Sequence, residues 1–172
     1  MPENEKQLRQ VKIDELTMNP FQLIGSDWML VTAGNQKHYN TMTASWGTMG
    51  VMWGKNVACT VIRPQRYTHE FVENNEYFTL SFYPEEYKKA LSLCGSKSGR
   101  DVDKAAATGL TPVFDEQAPY FSQAKLVLVC RKIYRSEMKP EGLLDPADDA
   151  RWYPEKDYHT LYVGEIVKVL SR

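Results

Sequence analysis

The chain has 172 residues, a formal net charge of −1 at pH 7 and a hydrophobic fraction of 42%. That length supports one domain whose core needs neither disulfides nor metals. The near-zero charge excludes a basic nucleic-acid binder or membrane-surface protein, and the longest apolar runs, such as "AKLVLVC", are too short to span a membrane.

The first stretch, "MPENEKQLRQ", is polar and lacks the apolar segment of a signal peptide. Residues 1–12 are expected to be a mobile arm, with a single domain over 13–172. Cys59, Cys94 and Cys130 are an odd set without CxxC spacing. They read as reduced, core-packed thiols, which places the protein in a cytoplasm.

"DWMLVTAG" (27–34) and "HYNTMTAS" (38–45) read as a hairpin about a polar turn at Asn35, Gln36 and Lys37. The following "WGTMGVMWG" reads as a Gly-rich turn with Met and Trp filling core. "NVACTVI" (56–62) is a β-branched strand, "RYTHEFVENN" (66–75) a short helix and "EYFTLSF" (76–82) a strand. "YPEEYKKALSLCG" (83–95) is the clearest helix, with Tyr87, Ala90, Leu91 and Cys94 on one face and Gly95 as its stop. A second helix is expected over 99–109. "AKLVLVCRKIYRSE" (124–137) and "YHTLYVGEIVKVL" (158–170) are the longest strands. The Pro- and Asp-rich residues 139–157 between them read as a surface excursion, whose Asp145, Asp148 and Asp149 suit solvent or a basic partner. Strands at this density without βαβ rhythm favour an α+β barrel flanked by helices over a doubly wound sheet.

Three segments suit ligand chemistry. "NTMTASWGTMGVMWG" ends a strand in small residues, so a flat ring can approach the backbone at Thr43, Ala44 and Ser45, with Trp46 and Trp53 as apolar walls. "VIRPQRYTHE" sets Arg63 and Arg66 before a helix that Thr68 can cap. Guanidiniums, a hydroxyl and free helix N–H groups together suit an anion. "GSKSGRDVDKAA" carries Ser98 and Asp101 at capping-box spacing, Gly99 for close approach, and Lys97, Arg100 and Lys104, whose charge Asp101 and Asp103 blunt. Each segment alone also suits an ordinary strand end, a capped surface helix or solvated charges. No Walker loop, G-x-G-x-x-G fingerprint or G-x-S-x-G elbow is present. His38, His69 and His159 lack metal-site spacing, and His159 reads as a structural histidine at a strand start.

In this order the segments "NTMTASWGTMGVMW", "VACTVIRPQRYTHEF", "SKSGRDVDK" and "HTLYVGEI" resemble the flavin reductase-like family of FMN-binding split barrels, the flavoredoxin-type branch most of all. The resemblance implies a six-stranded Greek-key split β-barrel that forms a homodimer, with FMN near the subunit interface. It implies that Thr43, Ala44, Ser45 and Trp46 line the isoalloxazine ring. Arg63, Arg66, Tyr67 and Thr68 would hold the phosphate end, and Ser98, Gly99, Arg100 and Lys104 would bracket the ribityl chain and phosphate. Where the branch often carries proline this chain has Asn56. The implied activity is an FMN-dependent oxidoreductase that passes electrons from NADH, NADPH or a small-molecule or protein redox partner to an acceptor. It needs no catalytic acid or nucleophile of its own, because the flavin carries the redox chemistry. A flavoredoxin-type electron carrier without nicotinamide turnover and a non-catalytic ligand-binding barrel stay open beside it.

Overall fold

The computed structural model describes residues 7–172. In chain order the strands and helices are β1 (Arg9–Val11), β2 (Met29–Asn35), β3 (His38–Ala44), β4 (Gly47–Met52), β5 (Lys55–Ile62), α1 (Tyr67–Asn74), β6 (Tyr77–Phe82), α2 (Lys88–Ser96), α3 (Lys104–Thr108), β7 (Pro112–Val113), β8 (Tyr120–Phe121), β9 (Leu126–Glu137), α4 (Pro146–Trp152) and β10 (Thr160–Ser171). One eight-stranded sheet runs β3-β2-β6-β9-β10-β5-β4, with β1 added on β10, and β7 and β8 pair separately. The sheet therefore has two strands more than the six expected.

Every pairing in the large sheet is antiparallel. β5, β6, β9 and β10 lie in space as β6-β9-β10-β5, so the earliest strand returns beside the last, which is a Greek key. β3 and β4 stand at opposite ends of the sheet order, yet only Ser45 and Trp46 separate them in sequence. A two-residue link can join the two ends only if the sheet curls round to bring them together. The barrel closes at this seam.

Side chains alternate across the strands and build two cores. The inner one holds Met29, Val31, Met42, Phe78, Leu80, Phe82, Leu128 and Tyr162. The outer one packs Leu30, Val127 and Val129 against Leu91 and Cys94 of α2, with Tyr87 and Ala90 partly buried beside them, which is the helix face the sequence indicates. All three cysteines are buried and free. No helix among the described residues is long and apolar enough to cross a membrane.

Several elements differ from expectation. Of the anticipated arm, residues 1–6 lie outside the described residues, while Arg9–Val11 pair with Val169–Ser171 instead of moving freely. "GTMGVM" is a strand, not a turn. Its two glycines and exposed edge erase the alternation that marks strands, but its full ladder to β5 closes through Trp53 (φ 53°) and Gly54 (φ 67°). Positive φ at both central residues is the hairpin turn that matches strand twist. Gly95 does not stop α2, which continues through Ser96. A Cβ at 95 would lie 3.2 Å from the Thr43 Cβ, so this glycine lets α2 lie close on β3. The helix expected from 99 starts at Lys104, with the Asp103 carboxylate accepting from the Ala106 N–H. Ser98 Oγ accepts from the Arg100 N–H in a local turn that competes with helix. The excursion is not bare loop, since Asp145 caps α4 within it.

Candidate functional site

Two clefts open at the barrel seam and share one side chain, Arg66. The first, about 350 Å³, is bounded by Met42–Trp46 at the end of β3, by Val61, Arg63 and Arg66, and by Trp152 and His159, whose rings pack on Trp46 at 5.1 and 5.2 Å between centroids. The second, about 220 Å³, lies between the start of α1 and the loop after α2.

Thr43, Ala44, Ser45 and Trp46 all line the first cleft, as expected for a ring wall. Their chemistry is not uniform. Thr43 donates its hydroxyl to the Leu91 carbonyl of α2, so the side chain is already engaged. Ser45 and Trp46 fall between the β2–β3 and β4–β5 ladders, and their backbone groups belong to neither. Polar backbone outside both ladders at a cleft wall suits the edge of a planar heterocycle. Trp53 stands elsewhere, on the outer face of the barrel against Tyr134.

Arg63 also lines the first cleft, not the second. Its Nη1 lies 2.7 Å from the Asp157 carboxylate and its Nη2 donates to the Trp152 carbonyl at 2.8 Å. Both terminal nitrogens are thus engaged and the side chain stands outside the second cleft, which counts against the phosphate role expected of Arg63. Arg100 differs in the same way. It pairs with Glu70 and stacks 4.4 Å over the Tyr67 ring, and it lines neither cleft.

Arg66, Tyr67, Thr68, Ser98, Gly99 and Lys104 all converge on the second cleft. Thr68 does not cap α1, where Arg66 holds the capping position. It is fully buried, and its oxygen accepts from the Asn40 side-chain amide at 2.9 Å. Lys104 is 6% exposed and donates to the carbonyls of Thr41 and Cys94 at 2.7 and 2.8 Å. An ammonium has three donors, so one is left over. Burial lowers its pKa to about 8, with the Cys94 thiol opposing and Arg66 reinforcing. Arg66 Nη2 is buried without a hydrogen-bond partner, and burial lowers the Arg66 pKa as well. Among the described residues no carboxylate lines this cleft. Asp101 and Asp103, expected to blunt its charge, line an adjoining pocket beside Lys37 and Tyr39 that shares Asn40, Gly99 and Lys104 with this cleft. The second cleft is therefore rich in unused donors, and an unpaired buried donor is costly until an acceptor arrives.

Sequence reasoning missed Asn40 and Trp152, and it set a ligand-facing His159 behind a structural one, whereas His159 is both buried and a lining residue of the first cleft. His159 is 8% exposed and its Nδ1 lies 2.7 Å from the Tyr153 hydroxyl. Burial lowers its pKa to about 4, with Arg63 adding to the effect, so it is neutral at physiological pH. The aromatic pair Trp152-Tyr153 inside a polar excursion was the available signal. Asn40 gave none, because its role depends on α1 packing over β3.

The fold is thus a split barrel with one cleft at its seam and a donor-rich cleft beside it. The chain belongs to the flavin reductase-like family, whose model, the flavin reductase like domain, matches residues 21–172. No curated protein matches the sequence. Among solved structures it is similar to an FMN-binding domain of a flavin reductase-like enzyme from Shewanella baltica, with 18% identity, TM-score 0.68, and 95% of this chain and 76% of that one covered. It is similar to flavoredoxin from Methanosarcina acetivorans at 21% identity and TM-score 0.68, covering 92% and 75%. An NADH:FAD oxidoreductase from Streptomyces globisporus, with NAD and FAD fragments, matches at 19% identity and TM-score 0.61, covering 83% and 73%. At these identities the structures establish a shared fold.

Proposed function

We propose that the chain holds FMN, with the isoalloxazine ring against Ala44–Trp46 and the phosphate in the second cleft, and works as an oxidoreductase. The observation that carries this is Arg66, whose partnerless buried Nη2 stands at the junction of the two clefts. A phosphate dianion accepts hydrogen bonds only. It matches the spare donors of Arg66 and Lys104 and the hydroxyls of Thr68 and Ser98, in a cleft lined by no carboxylate among the described residues. Tyr67 and Gly99 shape that cleft. Each charge-assisted bond is worth about 1.5–3 kcal/mol.

The bound flavin would supply the redox chemistry, taking a hydride (two electrons and a proton) from NADH or NADPH, or electrons from a protein partner, and passing them to an acceptor. The residues of the chain bind and orient it. The unladdered backbone of Ser45 and Trp46 reaches the ring edge, the apolar face of Trp46 excludes water, and neutral His159 adds no charge to the cleft. We also place two copies together as a homodimer. Met52, Trp53 and Tyr134 leave an exposed apolar outer face over Val57, Cys59 and Val163. The buried free thiols suit a reducing cytoplasm.

The test is anaerobic stopped-flow mixing of FMN-loaded protein with NADH and with NADPH. Reduction of the flavin by either cofactor is the expected result. FMN bound but untouched by both would make the chain a flavoredoxin-type carrier, a reading that Trp152 at the ring cleft favours. A colourless protein without a thermal shift on adding FMN would end the proposal.

A further inference from the structure

The excursion between β9 and β10 folds back over the seam. Trp152, at the end of α4, sets its ring edge-on to Trp46 at 5.1 Å between centroids and lines the ring cleft together with Thr43–Trp46. It remains 40% exposed, so it covers the cleft without being part of the core. The excursion satisfies most of its polar groups internally. Asp149 takes Lys156 at 2.6 Å and the Tyr158 hydroxyl at 2.6 Å. Its polar side-chain ties to the cleft floor come from one short segment, residues 63–65. Arg63 holds the Asp157 carboxylate and the Trp152 carbonyl, and Gln65 donates to the other Asp157 oxygen at 2.6 Å. The returning chain passes through Lys156 at φ 57°, a left-handed conformation that a lysine adopts only when its surroundings hold it there.

We propose that Trp152 is a specificity-determining cover over the flavin ring, held in place by an Arg63–Asp157 latch. This rests on the flavin site proposed above. The ring cleft, about 350 Å³, lies near the lower limit for ligand sites. With one flat ring against Ala44–Trp46, the remaining side is occupied by Trp152. A nicotinamide, which must lie face to face with the flavin to deliver its hydride, has to displace that indole. A small ionic reductant or an electron tunnelling from a docked protein does not. Arg63 thus acts as a positioning residue, and the pair Trp152 and Asp157 sets which class of reductant is served.

Two variants test this. Trp152→Ala removes the cover, and Asp157→Asn keeps the shape of the latch but removes its charge. In the FMN-loaded protein under anaerobic conditions, Trp152→Ala should raise the rate of reduction by NADH about tenfold, the scale of one aromatic contact. Asp157→Asn should raise it about threefold, the scale of a partly exposed ion pair. Reduction by dithionite should stay within about twofold in both, since only access for the large reductant changes. In the flavin-free protein, amide exchange across 146–153 should quicken in Asp157→Asn, because the latch acts before any ligand binds. An NADH rate that is unchanged or lower in Trp152→Ala, with FMN still bound, would overturn the proposal. So would equal gains for NADH and dithionite, or unchanged exchange in Asp157→Asn. Failure of the wild-type chain to bind FMN at all would instead reject the flavin site, while the exchange measurement would still judge the latch.

Discussion

Gly99 lies so close to Asn40 that a Cβ on residue 99 would stand 1.9 Å from the asparagine Oδ1. Asn40 cannot easily give way. It is 7% exposed, and its Nδ2 donates to Thr68 on the far side of the same cleft. The loop after α2, strand β3 and the start of α1 are thereby fixed to one another around the proposed phosphate site. Gly99→Ala should cost about 1–3 kcal/mol of stability through overpacking. It should also weaken FMN by pushing the loop outward. Urea unfolding monitored with and without FMN checks both effects, and an alanine variant equal to wild type in both would refute the role given to this contact.

Arg66 and Arg63 should separate when tested with two flavins. Riboflavin lacks the phosphate, so it reports the ring cleft alone. Arg66→Ala removes a charged donor from the phosphate cleft and should weaken FMN by about 10- to 100-fold, the equivalent of one charge-assisted bond. Riboflavin should lose at most a few-fold, since Arg66 also borders the ring cleft. Arg63→Ala should affect both flavins alike, because its guanidinium is bound to Asp157 and Trp152 and not to the second cleft. Isothermal titration of both ligands into both variants decides it. A phosphate-selective loss on Arg63→Ala would restore the role the sequence suggests for it.

The sequence showed most of the barrel and much of the site, for reasons that differ between elements. β2, β3, β5, β6, β9 and β10 were legible because β-branched runs between polar turns have few other uses. The small residues of "TMTASWG" were legible as a cleft wall, but their position at the closing seam follows only from the strand order. β4 was hidden because it is exposed along most of one edge, so no alternation survives. Of the three arginines expected near the phosphate, Arg63, Arg66 and Arg100, two are taken: Arg63 by Asp157 and Arg100 by Glu70. Those carboxylates lie 94 and 30 residues away in the chain, and sequence spacing carries no record of such partners. Lys104, which the resemblance placed beside the ribityl chain and phosphate, is buried, and nothing in its sequence context marks that burial.

The outer face of the barrel gives a prediction about assembly. Trp53 is 60% exposed and packs at 5.7 Å from the half-exposed Tyr134, with the exposed Met52 beside them. Large apolar side chains gathered on an uncovered sheet face mark an association surface. Sedimentation should find the wild-type chain as a dimer. Trp53→Glu combined with Tyr134→Glu should give a folded monomer, since neither ring enters the main cores. A monomeric wild type, or a double variant that stays dimeric, would contradict this surface.

Lys104 makes the site sensitive to pH in two opposite ways. Its pKa falls from 10.5 to about 8 through burial, opposed by the Cys94 thiol and reinforced by Arg66. Between pH 8 and about 10.5 the unfolded chain still holds this proton while the folded protein has released it. The unfolded state binds more protons there, so the Lys104 contribution to stability rises with pH across that window. Phosphate binding runs the other way. It favours the charged ammonium, so FMN affinity should fall as pH rises above about 8, by at most about tenfold per pH unit for a one-proton linkage. Riboflavin affinity should stay level over the same range. Cys94 does not mimic this effect near pH 8, because burial raises its pKa. Lys104→Met should remove both trends together, flattening the stability slope and the pH dependence of the FMN-to-riboflavin affinity ratio. Titrations of both flavins at pH 7 to 10, paired with denaturation at each pH, measure them. If the ratio in wild type and in Lys104→Met followed the same curve, the buried ammonium would have no part in holding the phosphate.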